Sequence, residues 1–252
     1  MHLDWSVFLN DDGGGRTYWE WMLQAWGWTL AVAFTAWCVA LVVGSAIGIM
    51  RTWKSSPVLS RFALAWVELF RNIPLLVQVF LWYFVLPKMW PAMQQFPSFW
   101  LVSLALGLFT SARIAEQFRA GIESIKSGQT QAALALGMTR AQLYRYVLMP
   151  VALRVMLPPL TSESMNLLKN SSIAFAVSVP ELTMFAMQAQ EETSRGIEIY
   201  LAVTLLYALS AFAVNRLFAV LEKRLRLPGS GEEGGARLGA ASPLPTPLGL
   251  GH

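Results

Sequence analysis

Four side chains interrupt runs that are otherwise apolar: Arg71, Glu163, Lys169 and Asn170. A charge at membrane depth costs about 3 kcal/mol on insertion scales, so it pairs with a partner or faces a wet cavity. In a cavity, Arg71 or Lys169 attracts anionic groups. Paired, the same side chains only hold helices together, and both readings stand at this level. A second set lies in a polar, basic loop: Gln131-Ala132-Ala133-Leu134-Ala135-Leu136-Gly137, followed by Val147-Leu148-Met149-Pro150. Its chemistry is docking, not bond making. Bond-making parts are missing. His2 and His252 are both terminal, Cys38 is alone, and no Gly-x-x-x-x-Gly-Lys-Ser/Thr cradle for a triphosphate is present. No catalytic residue, no metal site and no disulfide are expected.

The elements that must position these residues are membrane helices. Of 252 residues, 55% are hydrophobic and 13% charged, and the mean hydropathy is +0.47, too apolar for an ordinary soluble domain. Eleven Trp and fourteen Phe suit bilayer interfaces. The net charge of +4 is modest and does not point to nucleic acid. A bilayer core of about 30 Å takes roughly 20 apolar residues of helix. Residues Gln24 to Met50 meet this without a charge and are too long for a signal-peptide core. Phe62 to Leu86 is a second run, interrupted by Glu68, Arg71 and Pro74. Phe99 to Ala115 is a third, with Arg113 near its end. Val147 to Val179 is a fourth, broken by Pro158-Pro159 and by Lys169-Asn170-Ser171-Ser172. Tyr200 to Leu221 is a fifth. The sequence thus predicts an all-α polytopic membrane protein with five transmembrane helices.

Loop charges set the orientation. Arg51, Lys54 and Arg61 follow the first run; Arg119, Lys126, Arg140 and Arg145 oppose Glu123 after the third; Lys223, Arg224 and Arg226 oppose Glu222 after the fifth. The other side carries Lys88 and then Glu181, Glu191, Glu192 and Glu198 against Arg195. By the positive-inside rule the N-terminus is outside and the C-terminus inside. Residues 1–23 form an external segment, with an exposed turn at Asp11-Asp12-Gly13-Gly14-Gly15 and an interfacial belt of Trp19, Trp21, Trp26 and Trp28. Residues 24–222 form the membrane domain, and 228–252, rich in Gly, Pro and Ala, are expected to be disordered. Gly44, Gly48 and Ala40 are read as close-packing positions.

The loop 119–150 falls on the inner side. Glu116 to Ile125 continues the third helix and stops near Ser127-Gly128. Thr130 to Leu136 is rich in helix formers and is ended by Gly137 at a C-cap position; Thr139 caps a further helix holding Leu143, Tyr144 and Val147. A short helix between two breaks is stiff and accessible from outside. Spacing alone is equally compatible with a surface loop that meets no partner.

Gln131-Ala132-Ala133, three residues, Gly137, nine residues and Val147-Leu148-Met149-Pro150 resembles the EAA signature of ABC importer permeases: Glu-Ala-Ala, three residues, Gly, nine residues, Ile-x-Leu-Pro. The departures are Gln131 for Glu, which removes a charge, Val147 for Ile and Met149 for Leu. Val67-Glu68-Leu69-Phe70-Arg71-Asn72-Ile73-Pro74-Leu75-Leu76-Val77-Gln78 resembles the second-span motif of the polar amino acid branch. Pro158 to Glu163 and Asn166 to Ser172 resemble its fourth. Asp4-Trp5 with Phe8 and the closing Leu221 to Gly229 are similar to the glutamate/aspartate importers within that branch.

The resemblance, covering residues 1–229, implies a MetI-like fold and a type I importer in a bacterial inner membrane, with a periplasmic N-terminus and a cytoplasmic C-terminus. It implies a second permease subunit, related or identical, and a cytoplasmic ABC ATPase dimer that binds the EAA loops. A periplasmic amino-acid-binding protein delivers substrate. ATP and Mg are then held by the ATPase, and this chain needs no cofactor of its own. Gln131, Ala132, Ala133, Gly137, Val147, Met149 and Pro150 would couple to the ATPase. An importer for glutamine or arginine is the nearest alternative reading; a stand-alone carrier or channel is another, and it would need no such loop.

Counting along helices places Arg71 about 15 Å from Arg61, and Glu163 roughly 14 Å from Arg154. The two could therefore meet near the midplane. Arg71 with Glu68, and Arg113 with Glu116, are the local pairings that the sequence also offers.

Overall fold

The computed structural model describes residues 3–53 and 56–225. The disorder expected of 228–252, and the charges of Lys54 and Arg226, lie outside the described residues. Among the described residues the regular elements are helices, with one isolated bridge between Asp11 and Thr17.

Among the described residues, three helices are long and apolar enough to cross a membrane: α1 (Tyr18–Thr52), α5 (Ser98–Glu123) and α10 (Gly196–Leu225). Two bent pairs bring the number of crossings to as many as five. Thr17 opens α1 with a reciprocal cap: its side chain accepts from the Glu20 amide, and Glu20 Oε2 accepts from the Thr17 amide at 2.8 Å. Phe34 and Val42 on α1, each 70% exposed, and Leu217 on α10, 67% exposed, face outward, as lipid-facing positions do.

The second crossing is not one helix. α2 (Pro57–Asn72) and α3 (Leu75–Phe80), which runs on through a π-helical turn (Leu81–Val85) into α4 (Leu86–Met89), meet at 103°. Pro74 disfavours the helical conformation for the residue before it, and Ile73 is extended at φ −95°, ψ 130°. Depth counted along a straight Phe62–Leu86 helix therefore does not apply beyond Asn72.

The fourth crossing corrects the reading in the opposite sense. Pro158 and Pro159 do not break it; they lie inside α8 (Met149–Asn170). Met156, Leu157 and Leu160 are buried there, and the Thr161 and Ser164 hydroxyls donate to the carbonyls of Leu157 and Leu160. The carbonyls that lose a donor to the prolines are those of Arg154 and Val155, so buried packing, and not these hydroxyls, carries the helix through the pair. The break comes where Lys169-Asn170-Ser171-Ser172 placed it. A 3₁₀ segment (Ser171–Val177) ends in left-handed Ser178 (φ 59°), and α9 (Leu182–Thr193) leaves at 54°.

α1 lies along α5, which in turn packs on α8. Small residues make the first contact possible. A Cβ at Gly44 would fall 2.7 Å from Ile114, and one at Gly48 would overlap Phe118. Ala40 is fully buried in the same seam, as the sequence predicts.

The N-terminal segment docks instead of trailing. A 3₁₀ turn (Trp5–Leu9) buries Val7 and Phe8 in a cluster with Phe185, Ile199 and Val203. The Asp11–Gly15 turn is present, with Gly13 and Gly15 at φ 82° and 83° and Asp11 Oδ1 accepting from the Gly13 amide at 2.7 Å. The four Trp residues do not act as one belt. Trp21 is buried edge-on to Phe185, and Trp26 donates to Ser210 at 2.8 Å, whereas Trp19 and Trp28 stay open. Residues two apart on a helix point about 200° from each other, so neighbours such as Trp19 and Trp21 cannot share a face.

Candidate functional site

The loop after α5 folds into the device its sequence suggests, with shifted edges. α5 ends at Glu123, and Ser127-Gly128 opens the next helix, α6 (Ser127–Ala135), where a stop was expected. Gly137 closes α6 in the left-handed region at φ 81°. Its amide donates to Leu134 and the Met138 amide donates to Ala133, the paired bonds of a Schellman cap. Thr139 caps the next turn reciprocally with Gln142, whose Oε1 accepts from the Thr139 amide at 2.8 Å. That turn, α7 (Arg140–Gln142), leads through a π-helical stretch (Leu143–Leu148) into α8.

Most of α6 is uncovered. Ala133 alone is buried in it; Gln131, Ala132, Leu134 and Ala135 are exposed, and Leu136 beyond its end is 80% exposed. Two exposed leucines on a short polar loop form an apolar surface with no cover among the described residues. Val147 and Met149 are half-buried and anchor the loop on the core, and Pro150 is exposed. The seven motif residues therefore divide: Gln131 and Ala132 face out, whereas Ala133, Val147 and Met149 hold the helix in place.

Two links join the loop to the helix ends beside it. The Tyr144 hydroxyl is 2.9 Å from the Thr52 carbonyl and 3.0 Å from the Thr52 hydroxyl, and its ring stacks on Trp53 at 5.1 Å. Glu116 bridges Arg51 of α1 and Arg119 of α5, and Arg119 also pairs with Glu123. The Tyr144–Thr52 and Arg51–Glu116 contacts carry no signal in the sequence, because their partners lie 92 and 65 residues apart.

At depth, the structure chooses a pair that spacing did not. Glu163, 7% exposed, meets Arg113 at 3.0 Å, and the Arg113 side chain is 41% exposed. It does not pair with Arg71. Arg71 is exposed and forms no ion pair with Glu68, which instead accepts from Asn72 Nδ2 at 3.0 Å. Arg113 does not pair with Glu116, since that carboxylate is held by Arg51 and Arg119. The cause is the packing of α5 on α8, which sets Arg113 against the buried Glu163 across the two helices. Lys169 is exposed and Asn170 half-buried at the end of α8, where the backbone changes to 3₁₀ geometry.

Residues 40–227 match the family described as binding-protein-dependent transport system inner membrane component. The chain is 42% identical to the glutamate/aspartate import permease protein GltJ of Escherichia coli (strain K12), over 91% of this chain and 98% of that one. It is 36% identical to the probable glutamine ABC transporter permease protein GlnM of Bacillus subtilis (strain 168), over 78% and 89%. A chain in the crystal structure of an amino acid ABC transporter with histidines superposes with a TM-score of 0.75 at 30% identity, over 89% of this chain and 100% of that one. The inward-facing MetNI methionine ABC transporter shares the fold, with a TM-score of 0.71 at 19% identity. These relatives are ABC permeases, transport components and not enzymes. The chain is a multi-pass membrane protein that belongs to the family of binding-protein-dependent transport system inner membrane components.

Proposed function

We propose that the chain is one permease subunit of an ATP-driven bacterial importer for acidic amino acids, glutamate and aspartate first. The observation that carries the coupling half is α6: a helix capped firmly at its C-terminal end, with Leu134 and Leu136 uncovered, tied to α1 through Tyr144 and Thr52. Such a surface suits a groove on a separate cytoplasmic ATPase, which supplies the ATP and Mg chemistry this chain has no loop to hold. The charge asymmetry of the loops supports a periplasmic N-terminus and a cytoplasmic C-terminus.

The substrate half rests on Arg113, Glu163, Arg71, Lys169 and Asn170. Arg113 spends Nε on Glu163 while its side chain stays partly exposed, so it can meet a carboxylate in the path formed with a second permease subunit. Arg71 and Lys169 add further exposed cations. A periplasmic binding protein would deliver the amino acid to the outer face. The 42% identity to a glutamate/aspartate permease favours acidic substrates, and the 36% identity to a probable glutamine permease makes glutamine the second reading.

The deciding experiment is uptake of labelled glutamate by the reconstituted transporter, with unlabelled aspartate, glutamine and arginine as competitors. Strong competition by aspartate alone is expected. Competition by glutamine or arginine and not by aspartate would replace the substrate, and uptake without ATP or an ATPase subunit would remove the importer reading altogether.

A further inference from the structure

Pro74 has no N–H, so the carbonyl of Phe70 loses the donor that a continuous helix would give it. Gln78 on α3 supplies a replacement. Its Nε2 donates to the Phe70 carbonyl at 2.9 Å and to the Ile73 carbonyl at 2.9 Å. The residue is 2% exposed, and Oε1 has no hydrogen-bond partner among the described residues. Reversing the amide would put that oxygen against two carbonyls, so its two donors fix its direction. One side chain thus spans a 103° corner and satisfies acceptors on the α2 side of it.

Arg71 and Asn72 lie between the two carbonyls that Gln78 holds, so the corner determines where both side chains point. We propose that Gln78 is a positioning residue for transport: its amide replaces the donor missing at Pro74, holds α2 against α3, and thereby aims Arg71 and Asn72. The transport consequence rests on the function proposed above; the structural consequence does not.

The test uses the full transporter complex reconstituted in membranes. Cys38→Ser, Leu59→Cys and Phe84→Cys place spin labels on exposed sites either side of the corner. Their backbone separation is about 23 Å at the present bend and would approach about 38 Å in a straight helix. Gln78→Leu keeps the bulk and removes both donors. It is expected to lengthen the separation by about 5 Å or more and to lower uptake per unit protein about tenfold. An unchanged separation overturns the proposal.

If Gln78→Leu fails to accumulate, it is combined with Pro74→Ala, which restores a backbone donor for Phe70 and lets Ile73 accept within a continuing helix. Recovered accumulation with a long separation and low uptake supports the proposal. Failure to recover, or recovery of full uptake, overturns it. A wild-type complex that imports nothing while the separation responds as described would sink the transport reading and leave the structural role of Gln78 in place.

Discussion

The Tyr144 hydroxyl donates to the carbonyl of Thr52 at 2.9 Å, so the loop that carries α6 is fastened to the last turn of α1. The ring adds a stack on Trp53. A load applied to α6 therefore reaches α1 directly and α5 through Arg51 and Glu116. Tyr144→Phe keeps the stack and removes one hydrogen bond, at a cost of about 1 kcal/mol in stability. The expected outcome is an assembled complex that hydrolyses ATP at a near-normal rate but moves several-fold fewer substrate molecules per ATP. A normal uptake-to-hydrolysis ratio would show that the fastening carries no load.

Gly137 gives a sharper test of the loop. Its φ of 81° lies where L side chains are strained, yet a Cβ there would touch nothing within 4 Å. The cost of substitution is thus conformational and not steric. Gly137→Val should destabilise the cap by about 1–2 kcal/mol and unwind the end of α6, whereas Gly137→Asn, which tolerates the left-handed region, should behave nearly as wild type. Binding of the ATPase subunit to the detergent-solubilised permease would separate the two variants. Equal binding by both would mean that the shape of the cap does not matter for docking.

How much of this was legible in the sequence depended on the range of the interaction. The loop read well because its determinants are local: helix formers, then Gly137, then Thr139 with Gln142 three residues on. The pairs at depth read poorly because their partners are far apart in sequence. Glu116 had Arg113 and Arg119 each within one turn, and nothing in the chain announced that the distant Arg51 would join Arg119 on that carboxylate. Proline was legible only in part. Pro74 forces a corner because the extended residue before it is held there by Gln78; Pro158 and Pro159 do not, because the packing of Met156, Leu157 and Leu160 carries α8 past them. The same residue type gave opposite outcomes, and tertiary context decided between them.

Arg113 and Glu163 should behave as a coupled pair. Removing the cation leaves a buried carboxylate uncompensated, so Arg113→Gln should destabilise the protein by about 2 kcal/mol, less than for a fully buried pair because the Arg113 side chain is partly exposed. Adding Glu163→Gln to Arg113→Gln should restore much of that stability, since the buried charge is gone. Uptake should separate from stability: the double variant regains its thermal midpoint but not transport of acidic substrates. Recovery of both together would make the pair purely structural.

Asp4 carries the last prediction. Its carboxylate accepts from the side chain and amide of Ser6 and faces Arg195 at 3.3 Å, while its own amide donates to Glu198 at 2.9 Å. Hydrogen bonds from Ser6, and then the charge of Arg195, hold Asp4 below its ordinary value of 3.8. A group depressed in this way contributes fully above its unfolded value and is lost only as pH falls through the lower, folded one. The clasp between the N-terminal turn and the start of α10 should therefore be unchanged from pH 7 to pH 5 and loosen only below about 3.8. Asp4→Asn should loosen it at every pH, because the pairing with Arg195 is gone. Proteolytic cutting within the exposed Gly13–Gly15 turn reports the clasp directly. Faster cutting of the wild type at pH 5 than at pH 7, with the protease corrected for its own pH dependence, would show that another group controls it.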